Sequence, residues 1–232
     1  MNKTPLALCP GLLCNHQLWR AQIDALSDVA ECHVGRFDNH SSFEEMARSI
    51  LDAMPERFAL AGLSMGGYVS QAVMRIAPER VSHLALLDTS GRADTEEQKR
   101  RRRGLISLSK VGKFKGVTPK LLPMLIHEDR LEEEALTTVI FEMAEDIGKE
   151  AFFMQQEAIM ARPDGREDLT KVECPTLILC GRQDTLTPLE LHEEMAELTL
   201  NSELVVVEDS GHLPTLERPE AVNEAMRNWL AR

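Results

Sequence analysis

No apolar run in the 232-residue chain approaches the about 20 residues that a membrane-spanning helix needs, so no membrane partner is expected. A surplus of positive charge is also missing. The formal net charge of −12 argues against nucleic acid or an anionic membrane surface as the main partner. The 5 cysteines (Cys9, Cys14, Cys32, Cys174 and Cys180) are odd in number and form no CxxC pair. Several lie in apolar runs, where a free thiol behaves as a small hydrophobe. This usage points to a reducing compartment, hence a cytoplasmic protein. There is no HExxH, and His33, His40, His83, His127 and His192 show no metal-ligand spacing, so neither a metal nor another cofactor is expected. Internal repeats and low-complexity linkers are absent. The opening stretch MNKTPLALCPGLLCNH is interrupted by Pro10-Gly11 and reads as a strand and loop rather than a secretory signal.

What remains is an ordinary globular composition. Hydrophobic residues make up 43% and charged residues 28%, enough for one sizeable core with room for an insertion. A monomer or homodimer is expected.

Short apolar runs alternate with helical patterns. Leu6–Cys9, Cys32–Gly35, Phe58–Leu63, Val81–Leu87, Thr176–Cys180 and Leu204–Val207 read as strands. Trp19–Leu26, Phe43–Met54, Met65–Ala77, Pro188–Leu198 and Glu220–Leu230 read as helices. Ser42 is a candidate N-cap, with Glu45 three residues on. Nearly continuous apolar strands in such an alternation predict an α/β fold, a mostly parallel sheet of about six strands with helices on both faces. Residues 92–171 break the rhythm, with helical periodicity and no good strand. They are expected to form a helical insertion, leaving 1–91 and 172–232 as the core.

The stretch AGLSMGGY (61–68) carries the first chemical signal. A serine hydroxyl is a weak nucleophile unless a base takes its proton and a carboxylate orients that base. Gly62 and Gly66 flank Ser64 at minus two and plus two, between a predicted strand and a predicted helix. That G-x-S-x-G spacing suits a sharp turn that exposes the middle side chain. The Met65 N–H then lies at a helix N-terminus, where unpaired donors favour negative charge. Taken alone, in its strand–helix setting, the motif favours a nucleophile over a plain glycine-rich turn without excluding the latter. Two further residues change the balance. Asp184 follows a late strand in CGRQD, and His212 follows the last strand in SGHLP. Catalytic groups of open α/β sheets gather at that edge.

GLSMGG (62–67), GRQDTLTP (181–188) and SGHLPTLERPEAV (210–222) together resemble the α/β-hydrolase superfamily, and the resemblance covers nearly the whole chain. It implies an α/β-hydrolase fold with Ser64 as nucleophile, His212 as general base and acid, and Asp184 as the orienting carboxylate. It also implies that 92–171 is a cap over the active site. Backbone N–H groups of Met65 and Leu12 would form the oxyanion hole, with Leu13 the competing choice. Pro10 stands where many relatives carry a histidine. Leu13, His16, Met124, Phe141 and Met160 are candidate substrate contacts in a largely apolar pocket.

Four other features need weighing. Asp88 follows the strand 81–87, the triad-acid position of some relatives; Asp184 has the better motif, which leaves Asp88 as a structural carboxylate or a hinge group. Glu217 reads as a charge at a helix N-terminus, with Pro219 at an early helical position. Lys99–Arg103 reads as a solvated face paired with Asp94, Glu96 and Glu97, because five consecutive charges wrap right round a helix. Finally, Ser64 in place of aspartate points away from the dehalogenase and epoxide hydrolase branches. The expected activity is hydrolysis of a small or medium carboxylic ester through an acyl-enzyme. The alternatives are a lactone, thioester or carbon–carbon bond hydrolase, a lyase using the same triad, and a small-molecule receptor with a vestigial triad.

Overall fold

The computed structural model describes residues 3–111, 114 and 116–232; positions 1, 2, 112, 113 and 115 lie outside the described residues. The strands are β1 (Thr4–Cys9), β2 (Ala30–Val34), β3 (Phe58–Leu63), β4 (Val81–Leu87), β5 (Thr176–Gly181) and β6 (Ser202–Val207). They form one sheet in the order β2-β1-β3-β4-β5-β6, and every pairing is parallel. All residues of β3 and β5 are buried, as expected for central strands covered on both faces. β2 is an edge strand whose burial alternates, which explains its weak apolar signature.

The helices of the sheet layers are α1 (Arg20–Ala25), α2 (Phe43–Ala53) and α3 (Met65–Ile76). Between β4 and β5 come α4 (Glu96–Val111), α5 (Glu134–Ala161) and α6 (Arg166–Leu169), followed later by α7 (Leu189–Leu198), α8 (Pro214–Glu217) and α9 (Pro219–Leu230). One face of the sheet is covered by Met46 and Ile50 of α2, Val69 and Val73 of α3, and Met195 of α7. The other face takes Val222, Met226 and Trp229 of α9, together with Trp19 and Leu26 around α1. The helix predicted over 19–26 is two pieces, a 3-10 turn His16–Trp19 and then α1. Ser42 does cap α2 by accepting from the Glu45 N–H (3.2 Å). The Glu45 carboxylate, however, accepts from Ser41 rather than closing on Ser42 (2.8 Å from the Ser41 N–H).

The described residues between β4 and β5 contain helices and no strand. α5 turns sharply at Gly148, whose φ of 81° lies in the region that glycine enters without cost. No helix among the described residues is long and apolar enough to cross a membrane.

Candidate active site

Every chemically interesting residue lies just beyond the C-terminal end of a strand: Leu12 after β1, Ser64 after β3, Asp88 after β4, Asp184 after β5 and His212 after β6. Because the sheet is wholly parallel, these ends share one edge. The backbone of Ser64 is strained, with φ 55° and ψ −113°, a conformation rare for a residue with a side chain. It is held by the Ser64 N–H donating to the Leu87 carbonyl (2.9 Å) and by the Thr89 hydroxyl donating to the Ser64 carbonyl (2.8 Å). The flanking glycines are required by packing. A Cβ on Gly62 would lie 2.1 Å from the Gly66 carbonyl oxygen, and one on Gly66 would lie 1.9 Å from that of Cys9.

The three predicted side chains meet. His212 Nε2 lies 2.8 Å from Ser64 Oγ, and His212 Nδ1 lies 2.7 Å from Asp184 Oδ2. The Asp184 carboxylate also accepts from the N–H groups of Leu186 (2.8 Å) and Thr187 (3.1 Å) and from the Thr187 hydroxyl (2.5 Å). Its turn-capping role and its role beside histidine therefore coexist. Burial works against its charge, yet the His212 ring and the Thr187 donors hold the Asp184 carboxyl below the usual carboxylate range. The chain of contacts leaves Ser64 Oγ facing an imidazole nitrogen whose other nitrogen is fixed by a carboxylate. Such an arrangement can move a proton off the serine and stabilise the imidazolium that results.

The loop after β1 touches the serine: a Cβ on Gly11 would sit 3.5 Å from Ser64 Cβ. Within it the Leu13 N–H is engaged, donating to Gln155 Oε1 of α5 (3.1 Å). The Leu12 N–H takes no part in the hydrogen bonds among the described residues. Met65 begins α3, so its N–H belongs to the first turn, where helix donors lack intrahelical partners.

The candidate substrate contacts scatter more. Leu13 is buried in an apolar cluster with Ile106 and Phe152, against which Leu12 and Met160 pack. Phe141, partly buried, packs against the apolar cluster on the other face of the sheet, to which Ile126 and Leu213 belong. Met124 places its sulfur 3.2 Å from Arg101 Nη2, one residue before Leu125, whose carbonyl accepts the His212 N–H (3.0 Å). His16 is exposed and lines a cavity of about 120 Å³ with Cys14, Asn15, Val34, Gly35, Arg36 and Ile147, a lining that excludes Ser64 and His212. Its place at the start of the 3-10 turn carries it away from the triad.

Glu217 departs most from its reading as a charge at a helix N-terminus. It ends α8 and is 1% exposed. Its carboxylate accepts from the N–H of Gly211 (2.8 Å), the N–H of His127 (2.7 Å) and the Ser210 hydroxyl (3.2 Å). It thereby ties the loop carrying His212 to the segment before α5, while burial pushes its carboxyl up. Pro219 does open α9. The run Lys99–Arg103 is divided. Lys99 pairs with Glu96 (3.1 Å) on the surface, while Arg102 turns inward to Asp94 (2.6 Å) and Gln156 (2.8 Å). Asp94 also holds Arg162 (2.6 Å), whose guanidinium stacks 4.1 Å from the Tyr68 ring centroid.

With this geometry in hand, comparison with known proteins is informative. The Alpha/beta hydrolase family is matched over residues 8–225. The chain is 23% identical to a pimeloyl-[acyl-carrier protein] methyl ester esterase of Aliivibrio fischeri, over 97% of this chain and 93% of the relative. A thermophilic esterase from Thermogutta terrifontis, solved with malate bound, superposes with a TM-score of 0.89 at 30% identity, covering 99% of this chain and 90% of that one. The enol-lactonase from Burkholderia xenovorans superposes with a TM-score of 0.90 at 22% identity, over 100% and 93% of the two chains, which shows the shared fold.

Proposed function

Because the chain belongs to the alpha/beta hydrolase family, we propose that it is a serine hydrolase cleaving a small or medium carboxylic ester through an acyl-enzyme on Ser64. The observation that carries this reading is the continuous contact from Ser64 Oγ through His212 to Asp184, at 2.8 and 2.7 Å. The strained turn under Ser64 and the 30% identity to an esterase of matching fold support it.

In the first half-reaction His212 Nε2 accepts the Ser64 proton as Oγ attacks the ester carbonyl carbon. The carbonyl π pair moves onto oxygen, which the N–H groups of Leu12 and Met65 stabilise. As the carbonyl re-forms, the bond to the alkoxy oxygen breaks, and His212 returns the proton to the departing alcohol. A water then repeats the sequence on the acyl-enzyme, releasing the acid and restoring Ser64. Asp184 keeps the imidazole in the productive tautomer and offsets its positive charge. In this scheme 92–171 acts as a cap, with Leu13 and Met160 among the apolar side chains that meet the acyl group. The free cysteines suit a cytoplasmic setting.

Steady-state hydrolysis of p-nitrophenyl esters from acetate to decanoate, by wild type and Ser64→Ala, tests the reading. The expected result is turnover peaking at one chain length and falling about a thousandfold or more in the variant. Retained turnover in a folded Ser64→Ala protein contradicts the nucleophile assignment. A wild type inert on every ester contradicts the ester assignment and favours a lactone or carbon–carbon bond as the target.

A further inference from the structure

Behind Asp184 lies a second buried carboxyl group that the proposed mechanism does not use. Asp88 is 0% exposed and follows β4 directly, with φ 42°, a left-handed conformation that aspartate and asparagine tolerate better than most residues. Its backbone N–H donates to the Leu179 carbonyl (2.9 Å). Its Oδ1 accepts from the Gly181 N–H (2.9 Å), and the Gly181 carbonyl in turn accepts from the Asp184 N–H (3.2 Å). Asp88 therefore fastens the end of β5 from which the Asp184 turn springs. Its other oxygen, Oδ2, is buried and has no hydrogen-bond partner among the described residues.

An ionised carboxylate in that position would be untenable. Carboxylate oxygens of Asp88 and Asp184 and a ring nitrogen of His212 lie within 4.8 Å of one another. Around Asp88 lie Asp184 and Cys180 from β5 and its loop and His212 and Glu217 from the segment after β6, while His192 of α7 accepts from the adjoining Thr89 N–H. Among the described residues these groups include neither arginine nor lysine. Two carboxylates buried this close together do not both keep their charge. Asp184 has four donors and Asp88 has one, so the proton resides on Asp88. Burial first, and the Asp184 charge second, push the Asp88 carboxyl well above its ordinary range.

We propose that Asp88 is a positioning residue: a neutral carboxyl that anchors the Asp184 turn through Gly181 and leaves Asp184 as the charged carboxylate that faces His212 Nδ1. The proposal rests on the Ser64–His212–Asp184 reading for its kinetic consequence, but the protonation itself can be observed without substrate.

The first experiment is carbon-13 NMR of protein labelled at aspartate carboxyl carbons. One buried carboxyl is expected to stay protonated at about pH 7, far above the ordinary aspartate range, and its resonance is expected to vanish in Asp88→Asn. A spectrum in which every aspartate is ionised at that pH overturns the proposal, whatever the enzyme's substrate. The second experiment is kinetic. Asp88→Leu is expected to lower kcat about tenfold or more with KM within about threefold. Asp88→Asn, neutral and able to accept from Gly181, is expected to restore kcat to within about fivefold of wild type. The acid limb of its kcat/KM profile should lie where the wild type's does. An Asp88→Asn profile displaced by about one pH unit reveals a lost charge and overturns the proposal, as does an Asp88→Leu enzyme with unchanged kcat. If Asp88→Leu fails to fold, the Asn profile and the NMR spectrum still decide. Failure of the function reading would appear separately, as turnover surviving in Ser64→Ala or as a wild type inert on every ester, and the NMR spectrum decides the proposal in either case.

Discussion

Two buried aspartates illustrate how differently one side chain can be used. Asp184 and Asp94 both have side chains 0% exposed. Asp94 faces two guanidinium groups, Arg102 and Arg162, each at 2.6 Å. Asp184 faces no arginine; its partners are two backbone N–H groups, the Thr187 hydroxyl and an imidazole. The charge of Asp94 is neutralised by fixed charges and serves to join the turn after β4 to α4 and to the end of α5. The charge of Asp184 is held by neutral dipoles. It remains available to a positive charge that appears only when His212 takes a proton. A saturated ion pair builds architecture, whereas a dipole-held carboxylate can respond to chemistry.

That contrast is open to attack at each end. The largest effect is expected from Asp184→Asn, which should lower kcat/KM by about a thousandfold or more through loss of the imidazolium's partner and the wrong tautomer, with a melting temperature close to wild type. Steady-state kinetics beside thermal melts check it. If Asp88→Asn gives that loss instead, the acid has been misassigned. Asp94→Asn should show the reverse pattern. Leaving the buried Arg162 and the partly exposed Arg102 short of their counter-charge costs about 3 kcal/mol, or roughly 6–12 °C in melting temperature for a chain of this size. The folded fraction should retain its kcat within about threefold. A large kcat loss without destabilisation would erase the distinction between the two aspartates.

The smallest effect concerns the region between them. His192 on α7 is buried, with Nε2 accepting from the Thr89 N–H (3.1 Å) and Nδ1 facing the Pro188 carbonyl (3.3 Å). Burial lowers its pKa from 6.5 to about 4. A histidine that resists the proton only while folded contributes its full stability above the unfolded pKa. That contribution drains away as pH falls toward the folded one. Melting temperature should therefore decline between about pH 6.5 and pH 4 more steeply in wild type than in His192→Gln. Equal slopes would remove His192 from the account.

How much of this could be read beforehand follows from where the information sits. Ser64, Asp184 and His212 each lie in a short motif just past a strand, so local pattern and strand counting were enough to bring them to one edge. The sheet was legible for the same reason, because β3 and β5 are apolar on both faces. Edge strand β2, half exposed, left only a faint trace. The residues that were not legible act across long separations. Nothing in KRRRR distinguishes Arg102 from its neighbours until Asp94 and Gln156 are seen beside it. Glu217 read as a helix N-terminal charge because its partners, the Gly211 and His127 N–H groups, are backbone donors that leave no mark in sequence. His16 failed in the opposite way. It is close in sequence to Leu12, but a 3-10 turn directs it elsewhere.

The central claim is that Ser64 is the nucleophile, and covalent labelling tests it most directly. After incubation with a fluorophosphonate, intact mass and peptide mapping should find one adduct, on the peptide containing Ser64. Labelling should be absent in Ser64→Ala and slowed about a hundredfold or more in Asp184→Asn. An adduct on any other residue, or a folded wild type that stays unmodified, would contradict the account.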